Sequence, residues 1–156
     1  QIRQHNLEAD ALAAVKELHK MGYKNEDIII YGMSLGSHMA TYSAYQLQKD
    51  GPFAALILEV PFDSLLNVTK LVVPVPLPLE YIVRDKYDNT QMITAIKSPI
   101  LILGGSKDPT VPVELAKNLY KLAPQPKKMI IYQGGAHSDL YNFENYKDIL
   151  NWLKKI

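Results

Sequence analysis

The chain has 156 residues, 47% hydrophobic and 21% charged, the balance of a single globular domain with one core. Seventeen basic against sixteen acidic residues give a formal net charge of +1, and no run of basic residues exceeds two, so the footprint of a nucleic-acid binder is missing. With no cysteine there are no disulfides, thiol nucleophiles or thiolate metal sites, and no signal peptide or apolar run long enough to span a membrane stands out.

The chain opens on a helix pattern without an initiator methionine, which reads as a piece of a longer protein. Leu7, Ala11, Ala14, Val15 and Leu18 recur at spacings of three and four, so residues 6–21 are predicted as an amphipathic helix stopped by Gly22. Residues 27–31 read as a buried strand and 34–49 as a helix ended by Gly51-Pro52. Three further apolar runs, Phe53 to Val60, residues 98–104 and residues 128–133, read as strands. Continuous apolar strands separated by helices predict an α/β fold with a parallel sheet flanked by helices. Val111-Pro112-Val113 opens another helix, and Ser138 or Asp139 is expected to cap a last one facing Leu140, Phe143, Ile149, Leu150 and Leu153 inward. Residues 61–97 are irregular. Leu71 to Leu79 is apolar but broken by three prolines, which excludes a long helix or a central strand and suggests a cap or pocket wall, with Leu77 and Leu79 lining it.

Gly32-Met33-Ser34-Leu35-Gly36 reads G-x-S-x-G at the junction of the first strand and the second helix. A serine on such a turn has its Oγ exposed, flanking glycines are expected to avoid collisions there, and the Leu35 amide is placed as an oxyanion donor. Asp108 follows the third strand and His137 the fourth, in Gly134-Gly135-Ala136-His137. Polar groups at the carboxyl ends of parallel strands gather at one edge of the sheet. The order Ser, Asp, His predicts Ser34 as nucleophile, His137 as base and Asp108 as the acid that orients the imidazole. Glu59 and Asp63, at the end of the second strand, are rival acids, although Asp63 also reads as the N-cap of a helix over residues 64–72. His38 reads as structural, His5 and His19 as surface residues, and no His/Asp/Glu set has metal-ligand spacing.

At these residues the chain resembles the α/β-hydrolase superfamily, most closely its serine aminopeptidase-like branch of small α/β-hydrolase-domain proteins. The matching pieces are Asp10-Ala11, residues 29–36, Leu56 to Ser64, Pro99 to Gly105 with Asp108 and Val111-Pro112, and Gly134 to His137. The resemblance implies a serine hydrolase of esters, thioesters or peptides that needs no cofactor, with Ser34, Asp108 and His137 as its triad. A small acyl substrate or peptide is then the partner expected. Ser37 departs from the family's second glycine. The family's first half, with the early loop that gives a second oxyanion donor, has no counterpart, so the chain resembles the last four strands of an eight-stranded sheet. The strand at 27–31 would then be an edge, expected to pair with an absent N-terminal segment or with a second copy. The readings kept beside this one are a non-catalytic binding or scaffold domain of the same fold, and a flavodoxin-like nucleotide binder.

Overall fold

The computed structural model describes residues 3–73 and 78–156. In chain order the elements are α1 (Gln4–Lys20), β1 (Ile29–Met33), α2 (Leu35–Leu47), β2 (Ala55–Glu59), α3 (Leu65–Val72), α4 (Leu79–Ile82), α5 (Thr90–Thr94), β3 (Ile100–Gly105), α6 (Val113–Leu122), β4 (Lys127–Tyr132) and α7 (Asn145–Leu153). The four strands pair in parallel in the order β1-β2-β3-β4. This is the α/β sheet that the apolar runs predict.

Alternation along the strands divides the core in two. Ile30, Leu56, Leu58, Ile100 and Ile102 face one side and pack with Val15 of α1, Ala40 and Ala44 of α2, and Leu119 of α6. Ala55, Ile57, Leu101 and Leu103 face the other side and pack with Leu140 and Trp152. β2 and β3 are buried along their whole length, as the central strands of a sheet covered on both faces must be. Truncating Leu58 or Ile102 to alanine there costs about 2–5 kcal/mol. β1 is an edge, and on its α7-side face Ile29 and Tyr31 are 46% and 50% exposed.

Several boundaries differ from the sequence reading. β1 starts at Ile29 rather than residue 27, because Asn25–Asp27 forms a 3-10 turn. Buried Asn25 ties that turn down, donating its amide to Leu47 O and Gly51 O. The last helix is broken: a 3-10 turn over Leu140–Phe143 ends at Glu144, whose left-handed φ of 54° redirects the chain into α7. The break rotates Leu150 outward, leaving it 53% exposed, and Phe143 is also left exposed. Asp63 is not the cap of α3. Ser64 is, accepting from the Asn67 N–H, while buried Asp63 accepts from Ser64 N–H and from the amides of Asn67 and Asn118. Within residues 61–97, Ile93 and Ile96 belong to the main core, so the tail of that irregular stretch is part of the scaffold. Buried His38 is structural: its Nδ1 lies 2.8 Å from Asn89 Oδ1 and its Nε2 2.9 Å from Glu8 Oε1, which joins α1, α2 and the start of α5. His19, read as a surface residue, is half-buried against Asn25.

The two motif glycines are not equivalent. A Cβ on Gly32 would lie 2.2 Å from Gly36 O and 2.7 Å from the Ala40 Cβ, whereas a Cβ on Gly36 meets nothing within 4 Å. The expectation that both avoid collisions therefore holds for Gly32 alone. Gly32→Ala should destabilise by about 3 kcal/mol or more through overpacking. Gly36→Ala should be neutral or stabilise by up to about 1 kcal/mol through helix propensity. Thermal melts of the two variants check this contrast; equal losses would contradict it.

Candidate active site

The site lies at the carboxyl ends of the strands. β1 ends at Met33, and Ser34 turns the chain into α2 with φ 52° and ψ −121°. A serine in this region costs about 1–3 kcal/mol and persists only where its surroundings over-determine it. Here the Ser34 N–H donates to Glu59 O at 2.9 Å, and the Ser34 carbonyl accepts from Ser37 N at 2.9 Å and from the Ser37 hydroxyl at 2.6 Å. Ser37, the departure from the family's glycine, thus ties down the turn it follows.

His137 Nε2 lies 3.0 Å from Ser34 Oγ, and its Nδ1 lies 2.8 Å from Asp108 Oδ2. The Asp108 carboxylate only accepts, so Nδ1 carries the proton and Nε2 is the lone-pair nitrogen facing the serine hydroxyl. The other oxygen of Asp108 accepts the backbone N–H groups of Thr110 and Val111, each at 2.8 Å. The Asp108 side chain is 1% exposed and that of His137 18%. Three residues read separately from three strand ends are thus brought into one hydrogen-bonded series. The rival acids lie elsewhere in the network: Glu59 accepts from Tyr31 and Asn145, and Asp63 from Ser64, Asn67 and Asn118.

The loops bearing Asp108 and His137 touch. Lys107 N–H donates to Gly135 O at 2.8 Å, and Gly134 N–H donates to Ser106 Oγ at 2.9 Å. A Cβ on Gly105 would lie 2.4 Å from Gly135 O, so this approach needs glycine at that position. The Gly104-Gly105 and Gly134-Gly135 pairs are the sequence trace of that contact. Asp139 accepts from Ala136 N–H at 2.7 Å and closes the His137 loop.

The Leu35 N–H, first in α2, has no acceptor among the described residues and is free for a ligand oxygen. Leu79 is buried at the start of α4; Leu77 lies outside the described residues. On either side of residues 74–77 in the chain, Leu71, Val72, Val73, Tyr81 and Ile82 are exposed. Sequence reasoning missed the partners of Glu59. Burial and the adjacent carboxylate push the Tyr31 phenol far above its ordinary range, so it stays a donor. Among the described residues no group of three or more His, Asp or Glu side chains could hold a metal ion, and no helix is long and apolar enough to cross a membrane.

Residues 4–156 match the profile of the prolyl oligopeptidase family, Peptidase_S9. Among curated proteins, the uncharacterized protein Rv2307c of Mycobacterium tuberculosis is 34% identical over 139 residues, covering 87% of this chain and 47% of the relative. Human alpha/beta hydrolase domain-containing protein 17B is 29% identical, with 93% and 48% covered. The chain spans about half the length of these relatives. Among solved structures, an acetyl xylan esterase from Paenibacillus sp. R4 superposes with a TM-score of 0.74 at 17% identity, over 95% of this chain and 51% of that one. The monoacylglycerol lipase of Paleococcus ferrophilus superposes with a TM-score of 0.68 at 17% identity, over 94% and 74%. These likenesses share the fold. With the profile match over nearly its full length, the chain belongs to the prolyl oligopeptidase family of the α/β-hydrolase superfamily.

Proposed function

We propose that the protein is a serine hydrolase that cleaves carboxylic esters, thioesters or peptides through an acyl-enzyme on Ser34. The observation that carries this reading is the series Ser34 Oγ–His137 Nε2–His137 Nδ1–Asp108, with contacts of 3.0 and 2.8 Å. Family membership supports the class of chemistry.

The steps follow from the geometry. Ser34 Oγ attacks the acyl carbon while its proton passes to His137 Nε2, and the carbonyl electron pair moves onto oxygen. The free Leu35 N–H donates to that oxyanion. Asp108 holds Nδ1–H and stabilises the imidazolium. As the tetrahedral adduct collapses, His137 returns its proton to the leaving alkoxide, thiolate or amine. Water, deprotonated by the same nitrogen, then attacks the acyl-enzyme, and Ser34 regains its proton. All of this is supplied by side chains and one amide, so the reaction as proposed calls for no cofactor.

A second oxyanion donor, and a cover for Ile29 and Tyr31 on β1, are assigned by this reading to chain of the kind that makes the relatives about twice as long. The apolar side chains left exposed on either side of the irregular segment, Leu71, Val72, Val73, Tyr81 and Ile82, are assigned to the acyl group's pocket, and Leu77 is read into the same wall from the sequence. The rival reading, a binding domain without turnover, predicts an unreactive Ser34.

Three outcomes are expected in the full-length protein. Ser34→Ala and His137→Ala should each abolish p-nitrophenyl ester hydrolysis, by on the order of 10⁶, since the groups act as a unit; more than a tenth of activity left in either variant contradicts the assignment. Asp108→Asn should lower kcat by about 10⁴, while Asp63→Asn should leave kcat within about tenfold of wild type; the reverse pattern would move the acid to Asp63. Leu77→Ser should raise KM for a dodecanoate ester by about tenfold and for acetate by under about twofold; equal effects would remove the segment from the pocket.

A further inference from the structure

Glu59 is the buried acid that the reaction does not use. Three features of its position set it apart from an ordinary core carboxylate. It is 5% exposed, at the carboxyl end of β2 and opposite Met33 in the register, so its neighbour across the sheet is the residue that precedes Ser34. Its backbone carbonyl takes the Ser34 N–H, the bond that holds the strained turn. Its side-chain Oε2 takes two donors at once, the Tyr31 hydroxyl and, at 3.0 Å, the Asn145 amide.

Asn145 opens α7 directly after the left-handed Glu144, and it is itself buried. The stretch between β4 and α7 carries His137. Its first part is fastened to the Asp108 loop by the bonds at Gly134 and Gly135. Its far end is fastened by buried Leu140 and by the Asn145–Glu59 bond. Among the hydrogen bonds and ion pairs of the described residues, the Glu59 side chain meets no cation and is held by these two neutral donors alone. The phenol of Tyr31, held protonated by burial and by that carboxylate, remains a hydrogen-bond donor in the neutral range.

We infer that Glu59 is a positioning residue that sets the Ser34–His137 distance, its main chain holding the turn under the nucleophile and its carboxylate, through Asn145, holding the far end of the His137 loop. The inference rests on the reading of Ser34 and His137 as nucleophile and base. One residue spans two segments that are 103 positions apart at the reacting atoms, and a misplacement of about 1 Å there lowers turnover by about 10²-fold. A carboxylate that merely knits α7 to the sheet would affect stability and leave the reacting geometry alone.

The test uses the full-length protein, with ester turnover and crystal structures of the same variants. Glu59→Ala should lower kcat by about 30–100-fold with KM within about twofold, and should lengthen the 3.0 Å Ser34 Oγ–His137 Nε2 contact. Glu59→Gln, whose amide oxygen can accept from both Tyr31 and Asn145, should stay within about threefold of wild type. Asn145→Asp, which sets two carboxylates against each other, should resemble Glu59→Ala; the pair Glu59→Gln with Asn145→Asp restores a donor and an acceptor and should recover kcat to within about threefold. Full turnover and an unchanged contact in folded Glu59→Ala, or no recovery in the double variant, overturns the inference. If the wild type fails to react with a fluorophosphonate, the hydrolase reading fails, and the contact length in the Glu59 variants still decides the positioning role.

Discussion

The close approach of α2 to the end of β1 is the constraint on which the site depends. With no side chain at Gly32, the backbone of Gly36 and the Ala40 side chain come within a distance that a Cβ would occupy. The chain can then reverse at a single residue, Ser34, which takes a positive φ of 52°. The strain is held by bonds on both sides: the Ser34 N–H on the Glu59 carbonyl, and the Ser34 carbonyl under Ser37. One Oγ is thereby raised at the sheet edge beside the unused Leu35 N–H. The next strand repeats the device. Val60, a β-branched residue with φ 43°, is left-handed just beyond β2 and is fixed by its N–H on Leu103 O.

From that turn the rest of the site follows by parallel pairing. Because all four strands run the same way, every loop after a strand opens on one edge, and Ser34, Asp108 and His137 are gathered there from distant parts of the chain. The loops are narrow. Gly105 lets the Asp108 and His137 loops touch, and Asp108 Oδ2 on His137 Nδ1 fixes the imidazole. Asp108 takes three hydrogen bonds on its two oxygens, from the Thr110 and Val111 N–H groups and from His137 Nδ1, so it is an acceptor with a fixed direction.

The sheet was legible because β2 and β3 are apolar on both faces, a pattern that needs no partner to interpret. Ser34, Asp108 and His137 were legible because each follows an apolar run, and the glycines beside them mark places where backbones approach. What stayed hidden depended on side chains meeting across the sheet. Nothing local to Glu59 or Asp63 says that their carboxylates are taken by Asn145 and Asn118, residues more than fifty positions away. The break at Glu144 was invisible too, since the apolar spacing runs on through it while the backbone turns left-handed. Gly36 misled for the opposite reason: the motif carries it, but its Cβ position is open. The apolar residues 74–77 lie outside the described residues, so the pocket wall read from the prolines rests on sequence.

Every step assigned to the site requires Ser34 to be a nucleophile activated by His137. Mass spectrometry of the full-length protein after reaction with a fluorophosphonate tests it most directly, because the adduct is mapped to a residue and no substrate need be known. A single adduct on the peptide that carries Ser34, absent after His137→Ala, is the result predicted. No adduct, or one on another residue with Ser34 unmodified, would contradict it.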